Sequence, residues 1–136
     1  MASAALITAV NKRLNDNWTE TAVVDDDTTG QGPPDGSAYV TVEYPVSREN
    51  QITIGAPGAN VFRESGVIRL LMSFPTGTGT LHVTTLMDQL RALFRSKQFD
   101  GVTTFAPSPP AIDPTSYQGG RFKVSSAVPY YVDLFA

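Results

Sequence analysis

Val67-Ile68-Arg69-Leu70-Leu71-Met72-Ser73-Phe74, followed by Pro75-Thr76-Gly77-Thr78-Gly79-Thr80 and then by Leu81 to Lys97, is the stretch whose reading decides the fold. The first eight residues carry too many apolar side chains for a strand with one wet face, which predicts a central strand. Pro75 and the Gly/Thr run break it. Beyond the break, Val83, Leu86, Met87, Leu90, Leu93 and Phe94 recur at steps of three and four, the period of an amphipathic helix. Its bounds are expected near Leu81 and Lys97, with Thr80 as N-cap and Arg91, Arg95 and Lys97 toward the negative pole of its dipole. A central strand feeding a helix points to a sheet with helices packed on it.

Working outward, Val61 to Glu64 opens the strand that Val67 to Phe74 continues. Before it, Tyr39 to Tyr44 is β-branched or aromatic apart from Glu43, and Pro45 is expected to end that strand because proline cannot donate to a ladder. Ser47 to Asn50 then reads as a hairpin tip and Gln51 to Ile54 as a short returning run, before Gly55, Pro57 and Gly58 turn the chain again. Leu6, Ile7, Val10, Leu14 and Trp18 line one face of an N-terminal helix with Ser3 as N-cap. Asp25 to Gly36 is a polar Gly/Pro-rich loop, Val102 to Phe105 a short strand, and Ala106 to Gly120 a second loop. Phe122 to Phe135 alternates with period two, a long strand in which Pro129 demands an edge or a bulge and so leaves part of it open to a neighbouring chain. The fold class is α+β: a mostly antiparallel sheet with an N-terminal helix and one central amphipathic helix packed on it, in a single domain spanning residues 1–136.

Composition narrows the function. At 17% charged residues the chain is poorer in charge than an average globular protein, which favours association. Ten basic against thirteen acidic side chains give a net charge of −3, which argues against a phosphate-gripping surface. There is no cysteine, hence no disulfide framework and no thiolate metal site. No apolar run reaches the 18 or so residues of a membrane span, and the N-terminal segment lacks the features of a signal peptide.

Few residues invite a catalytic reading. His82, the sole histidine, is expected to face solvent on the polar side of the central helix, with Leu81 and Val83 better placed to pack. Asp25, Asp26 and Asp27 lack the alternating oxygens and distal carboxylate of a calcium loop, so no metal is assigned. Gly77 to Thr80 lies between strand and helix, where amides hold phosphate, but it has neither the P-loop lysine nor the dinucleotide fingerprint and reads as a plain connection. Asp88 and Arg91 form an i,i+3 surface pair. Tyr130, Tyr131 and Phe135 crowd one strand end that cannot bury them all in one core, so part of this group is expected to meet a partner.

The order of elements resembles the phage tail-terminator and tail-completion family. The resemblance lies in Asn11-Lys12-Arg13-Leu14 closing the first helix, the Tyr39-Val40-Thr41-Val42 strand and Glu64-Ser65-Gly66-Val67-Ile68 entering the central strand. The Gly-rich turn before the second helix and the closing Val128-Pro129-Tyr130-Tyr131-Val132-Asp133 strand complete it. It covers almost the whole chain and rests on the order of the motifs.

It implies a structural virion protein and no enzyme: a homo-oligomeric ring, commonly of six subunits, that caps the tail tube, stops its polymerisation and offers a face to the neck or head. Its partners would be the tail-tube protein and a neck or head-completion protein, with DNA passing through unbound, no cofactor and no membrane. Its place would be the virion tail, assembled in the host cytoplasm. A ring subunit needs two different surfaces for its two neighbours. Candidate interface residues are Arg48, Glu49, Asn50, Gln51, Tyr117, Arg121, Tyr131 and Phe135. Two other readings stand beside this one: a head-closure or tail-tube protein of similar build, and a small-ligand-binding domain using the Gly77–Gly79 turn and His82.

Overall fold

The computed structural model describes residues 2–24, 36–112 and 121–136; the aspartate run from Asp25 and the loop holding Tyr117 lie outside the described residues. Among the described residues, two helices, α1 (Ala4–Asn17) and α2 (Thr80–Phe94), accompany strands β1 (Ala22–Val23), β2 (Tyr39–Gln51), β3 (Val61–Pro75), β4 (Gln98–Phe99), β5 (Val102–Thr104), β6 (Ala111–Ile112) and β7 (Arg121–Phe135). The strands form one sheet in the order β1-β2-β3-β7-β5-β4, with β6 also on β7. Every pairing is antiparallel except β1 on β2. This is the α+β architecture expected from the sequence, with β3 in the sheet interior.

Alternation assigns the two faces of the sheet. Val40 and Val42 of β2, Ile68, Leu70, Met72 and Phe74 of β3, and Val124, Val128, Tyr130 and Val132 of β7 are buried beneath the helices. Onto them pack Leu6, Ala9, Val10 and Leu14 of α1 and Val83, Met87, Leu90 and Phe94 of α2, each set repeating at three- and four-residue steps. Among the described residues no helix packs on the other face, which is buried at Tyr39, Thr41 and Ser73 and opens toward Val46, Arg48 and Asn50. Between the helices, the Arg13 guanidinium donates to the Leu93 carbonyl and stacks on Phe99.

Helix ends follow from local chemistry. Ser3 caps α1, its Oγ accepting from Leu6 N, and its own amide donates to the Glu64 carboxylate of β3 at 3.2 Å. In α2, Thr80 is the first helical residue and not the cap. Gly79 stands at the cap position with φ 100° and supplies no side chain, so the turn conformation that only glycine takes easily sets the start one residue earlier. The helix also stops at Phe94, short of Lys97, because the buried Thr104 hydroxyl of β5 donates to the Phe94 carbonyl at 2.6 Å and accepts from Lys97 N at 3.0 Å.

Pro45 does not end its strand. β2 runs on to Gln51, and the register shifts between Glu43 and Val46, so Tyr44 and Pro45 together oppose one residue of β3 as a β-bulge that absorbs the missing donor. Ser47 to Asn50 are therefore strand residues, and the hairpin tip falls at Ile52 to Asn60, where Gly55 and Gly58 take positive φ. Asn60 organises that tip, its Oδ1 accepting from Ala56 N at 3.1 Å.

Where an edge or a bulge is expected for Pro129, the structure has a gap between neighbours: β7 has β3 on one side and β5 and β6 on the other, and neither of the latter ladders includes residue 129. Pro129 O accepts from Phe105 N on the β5 side. Its donor-less nitrogen faces the same way, because the amide and carbonyl of one strand residue point to the same neighbour. The Phe105 carbonyl left over accepts from Ser96 N instead. Proline thus sits where the β5 ladder ends.

Candidate assembly interface

Past Val132, where β5 ends, the sheet narrows to β2, β3 and β7. On its open face the register lines up Arg48, Ser65 and Tyr131 in one row and Asn50, Arg63 and Asp133 in the next. The Arg63 guanidinium donates to both Asp133 carboxylate oxygens, at 2.8 and 3.0 Å, and lies 4.3 Å from the centre of the Tyr131 ring. Phe105 packs on the same ring at 5.8 Å. The hydrogen bond from Arg63 holds the Asp133 carboxyl below its ordinary value, against the opposing effect of burial, and the same bond raises Arg63. An aromatic ring in contact with both a guanidinium and a second ring has less rotamer freedom to lose when it meets a partner.

Around this row the apolar exposure is high. Val46 is 57% exposed, Ile52 53%, Ile54 84% and Phe135 73%. On the helix-facing side, in the alternating rows, the Glu64 carboxylate is buried and accepts from the Tyr130 hydroxyl at 2.8 Å, with Ser47 Oγ 2.9 Å from that hydroxyl. Burial, with the Glu64 carboxylate beside it, pushes the Tyr130 hydroxyl up to about 12. The exposed rim is therefore backed by a hydrogen-bonded interior.

Of the residues singled out from the sequence, Arg48, Glu49, Asn50, Gln51, Tyr131 and Phe135 come together at this end of the sheet. The first four lie exposed along β2 and not at a hairpin tip. Arg121 is at the opposite end of β7, where it donates to the Gly36 and Ser37 carbonyls and to Ser73 and stacks on Tyr39; it ties the strand entering β2 to β3. Tyr117 lies outside the described residues. Val46, Ile52 and Ile54 were missed, although a β-branched pair beside Gly55 in a turn is a legible sign of an apolar tip.

The residues weighed for other chemistry stay apart. His82 is exposed on α2, as expected, while Leu81, expected to pack, is 82% exposed because Val83 alone of the two faces the sheet. Arg91 pairs with Asp88 at 2.9 Å and also reaches the Pro107 carbonyl. Among the described residues, no three His, Cys, Asp or Glu side chains cluster to hold a metal ion, and no helix is long and apolar enough to cross a membrane. A shallow, solvent-open depression of about 430 Å³ lies over Ala4, Ala5, Thr8 and Ala9, edged by Lys12 and Asp100.

Comparison with known proteins agrees with this picture. Residues 5–130 match the family model described as phage tail terminator protein. No curated protein matches the chain. Among the solved structures that match, one has a TM-score of 0.62 at 20% identity over 100% of this chain and 99% of the other, so the fold is shared.

Proposed function

Since the chain belongs to the phage tail terminator family, a structural component of the virion tail that associates with other tail proteins, we propose that it caps the tail tube as a closed ring. In this reading the ring, commonly of six copies, stops tube polymerisation and presents its other face to a neck or head-completion protein, while DNA passes through its centre without specific binding. Assembly takes place in the host cytoplasm. The observation that carries the reading is the family match over nearly the whole chain.

The interface residues for this role are Arg48 to Gln51, Tyr131 and Phe135, which share one end of the sheet. Exposed apolar and aromatic side chains beside polar ones are the composition of an interface core and its rim. A stable contact needs about 1,000 Å² in total. Arg121 is withdrawn from this set because its guanidinium is engaged within the chain.

The mass of the purified protein in solution, measured by light scattering with and without the tail-tube protein, tests the reading. A discrete ring near six subunits, formed alone or on the tube, supports it. Open-ended polymers would identify a tube subunit instead, and a monomer indifferent to the tube would overturn the ring.

A further inference from the structure

The backbone hydrogen bonds at the narrow end of the sheet show which groups are left over. Ile52 N donates to Val61 O, its direct partner in register, so with strict alternation the amides and carbonyls of Val46, Arg48 and Asn50 point into the β3 ladder. Those of Ser47, Glu49 and Gln51 point outward. Across the sheet, Asn60 and Ala136 exchange both backbone bonds, which turns the even-numbered residues at the end of β7 toward β3 and leaves Asp133 and Phe135 pointing outward. β1 reaches only Tyr39 and Val40 of β2, and β5 reaches no further than Val132 of β7. Among the described residues, no strand pairs with either outer edge at this end.

The two open edges lie at one level, since Gln51, Phe62 and Leu134 share a row. They belong to opposite sides of the same three-stranded ribbon and carry different sequences. Each is flanked by exposed apolar side chains, Val46 and Ile52 on the β2 side and Phe135 on the β7 side. Unpaired edges with apolar neighbours invite another chain, and two unlike edges at equal height suit a head-to-tail contact that repeats by rotation until it closes.

We propose that copies of this chain join by strand pairing, the outer edge of β2 from Ser47 to Gln51 in one copy meeting the end of β7 from Asp133 to Phe135 in the next. The inference rests on the ring reading and supplies its joint. Because β2 and β7 are both antiparallel to β3, they run in the same direction, and the joint is parallel. The β2 edge already accepts a short parallel strand in β1, so the geometry is one that this strand tolerates. The β-sheets of successive copies then form one continuous band, with Ile52 and Phe135 covered at each joint.

A chain without cysteine allows a direct test by cross-linking. Asn50 and Phe135 both face the open side of the sheet, on strands separated by β3. Two strand spacings, roughly 10 Å, exceed the roughly 7 Å between Cα atoms that a disulfide can span, so a bridge between them within one copy is excluded.

The double variant Asn50→Cys/Phe135→Cys, and Arg48→Cys/Phe135→Cys to sample a neighbouring register, are oxidised in whichever preparation forms the ring. Circular dichroism checks that each variant is folded. The expected result is a non-reducing gel ladder that ends at the full ring from at least one double variant, with nothing above a dimer from any single variant. If the ring forms by light scattering and neither folded double variant gives a ladder, the edge assignment is wrong and the ring stands. If the wild-type chain stays monomeric alone and on the tube, the ring reading falls, and the joint with it.

Discussion

Glu64 and Tyr130 are the residues on which the interior of the narrow end depends. A buried carboxylate is tolerable only with donors in place, and here they are the Tyr130 hydroxyl and the Ser3 amide. Tyr130→Phe removes one of them, and the expected loss is about 1–3 kcal/mol, read from urea unfolding at neutral pH. The phenol also has a pH signature. Its folded-state value is raised from 10.0 to about 12, so its contribution is complete below about 10 and is lost as pH rises toward about 12. That alkaline decline in the unfolding midpoint should flatten in Tyr130→Phe.

Asp133 works in the opposite sense. Its value is lowered from 3.8 by the Arg63 hydrogen bond, so the stabilisation is present above that ordinary value and disappears as pH falls through the depressed one. Asp133→Asn should remove this acid-side dependence in urea midpoints measured below pH 3.8, with little change at neutral pH for so exposed a pair. None of these partnerships was legible in the sequence, because Glu64 and Tyr130 stand 66 residues apart and only the strand register makes them neighbours.

Among the elements, β2 and β3 approach closely just past the bulge, at Gly66, which stands opposite Ser47. A Cβ built there would lie 2.0 Å from the Val46 carbonyl oxygen and 2.9 Å from Ser47 Cα, both backbone atoms that cannot swing aside. Gly66→Ala is therefore expected to cost about 1–3 kcal/mol or more by forcing the strands apart, visible as a lowered melting temperature. The missing side chain lets β2 lie close against β3 as it leaves the bulge.

The sequence shows Pro45 and Gly66, but nothing in either strand alone reveals that Pro45 falls in a bulge opposite Ile68 with Gly66 just beyond it, which is why Pro45 reads as a stop. Period was the better guide. The 3.6-residue repeat located α1 and α2, and the two-residue repeat located β7 nearly to its ends. Misplaced boundaries trace to groups supplied from elsewhere, such as the Thr104 hydroxyl that finishes α2.

For the molecule as a whole, the helices and the sheet share one apolar cluster with Leu90 fully buried in it. Leu90→Ala should cost about 2–5 kcal/mol through the cavity it leaves, measurable in chemical denaturation, and folding and assembly should fail together. Strand order was beyond the reach of periodicity: β7 inserts between β3 and β5 although it is last in the chain. That insertion brings Tyr131 and Phe135 to the same end of the sheet as Arg48 to Gln51, a grouping of the candidate residues that the sequence alone does not show.

Val46, Val67 and Pro129 stand in one row across three strands, with the bulge at Pro45 immediately beside it and the β5 ladder ending at Phe105. Along this line two prolines withhold donors from the ladders, Pro45 at the bulge and Pro129 on the β5 side, as a card is weakened at its crease. The two panels should therefore exchange amide hydrogens as separate cooperative units. The panel of Tyr39–Glu43 and Ile68–Phe74 should be the slower, and the panel of Val46–Gln51 and Val61–Gly66 the faster, with a step in protection at Val67 when exchange is followed by mass spectrometry. A uniform gradient across that row would mean that the crease shapes the sheet without dividing it.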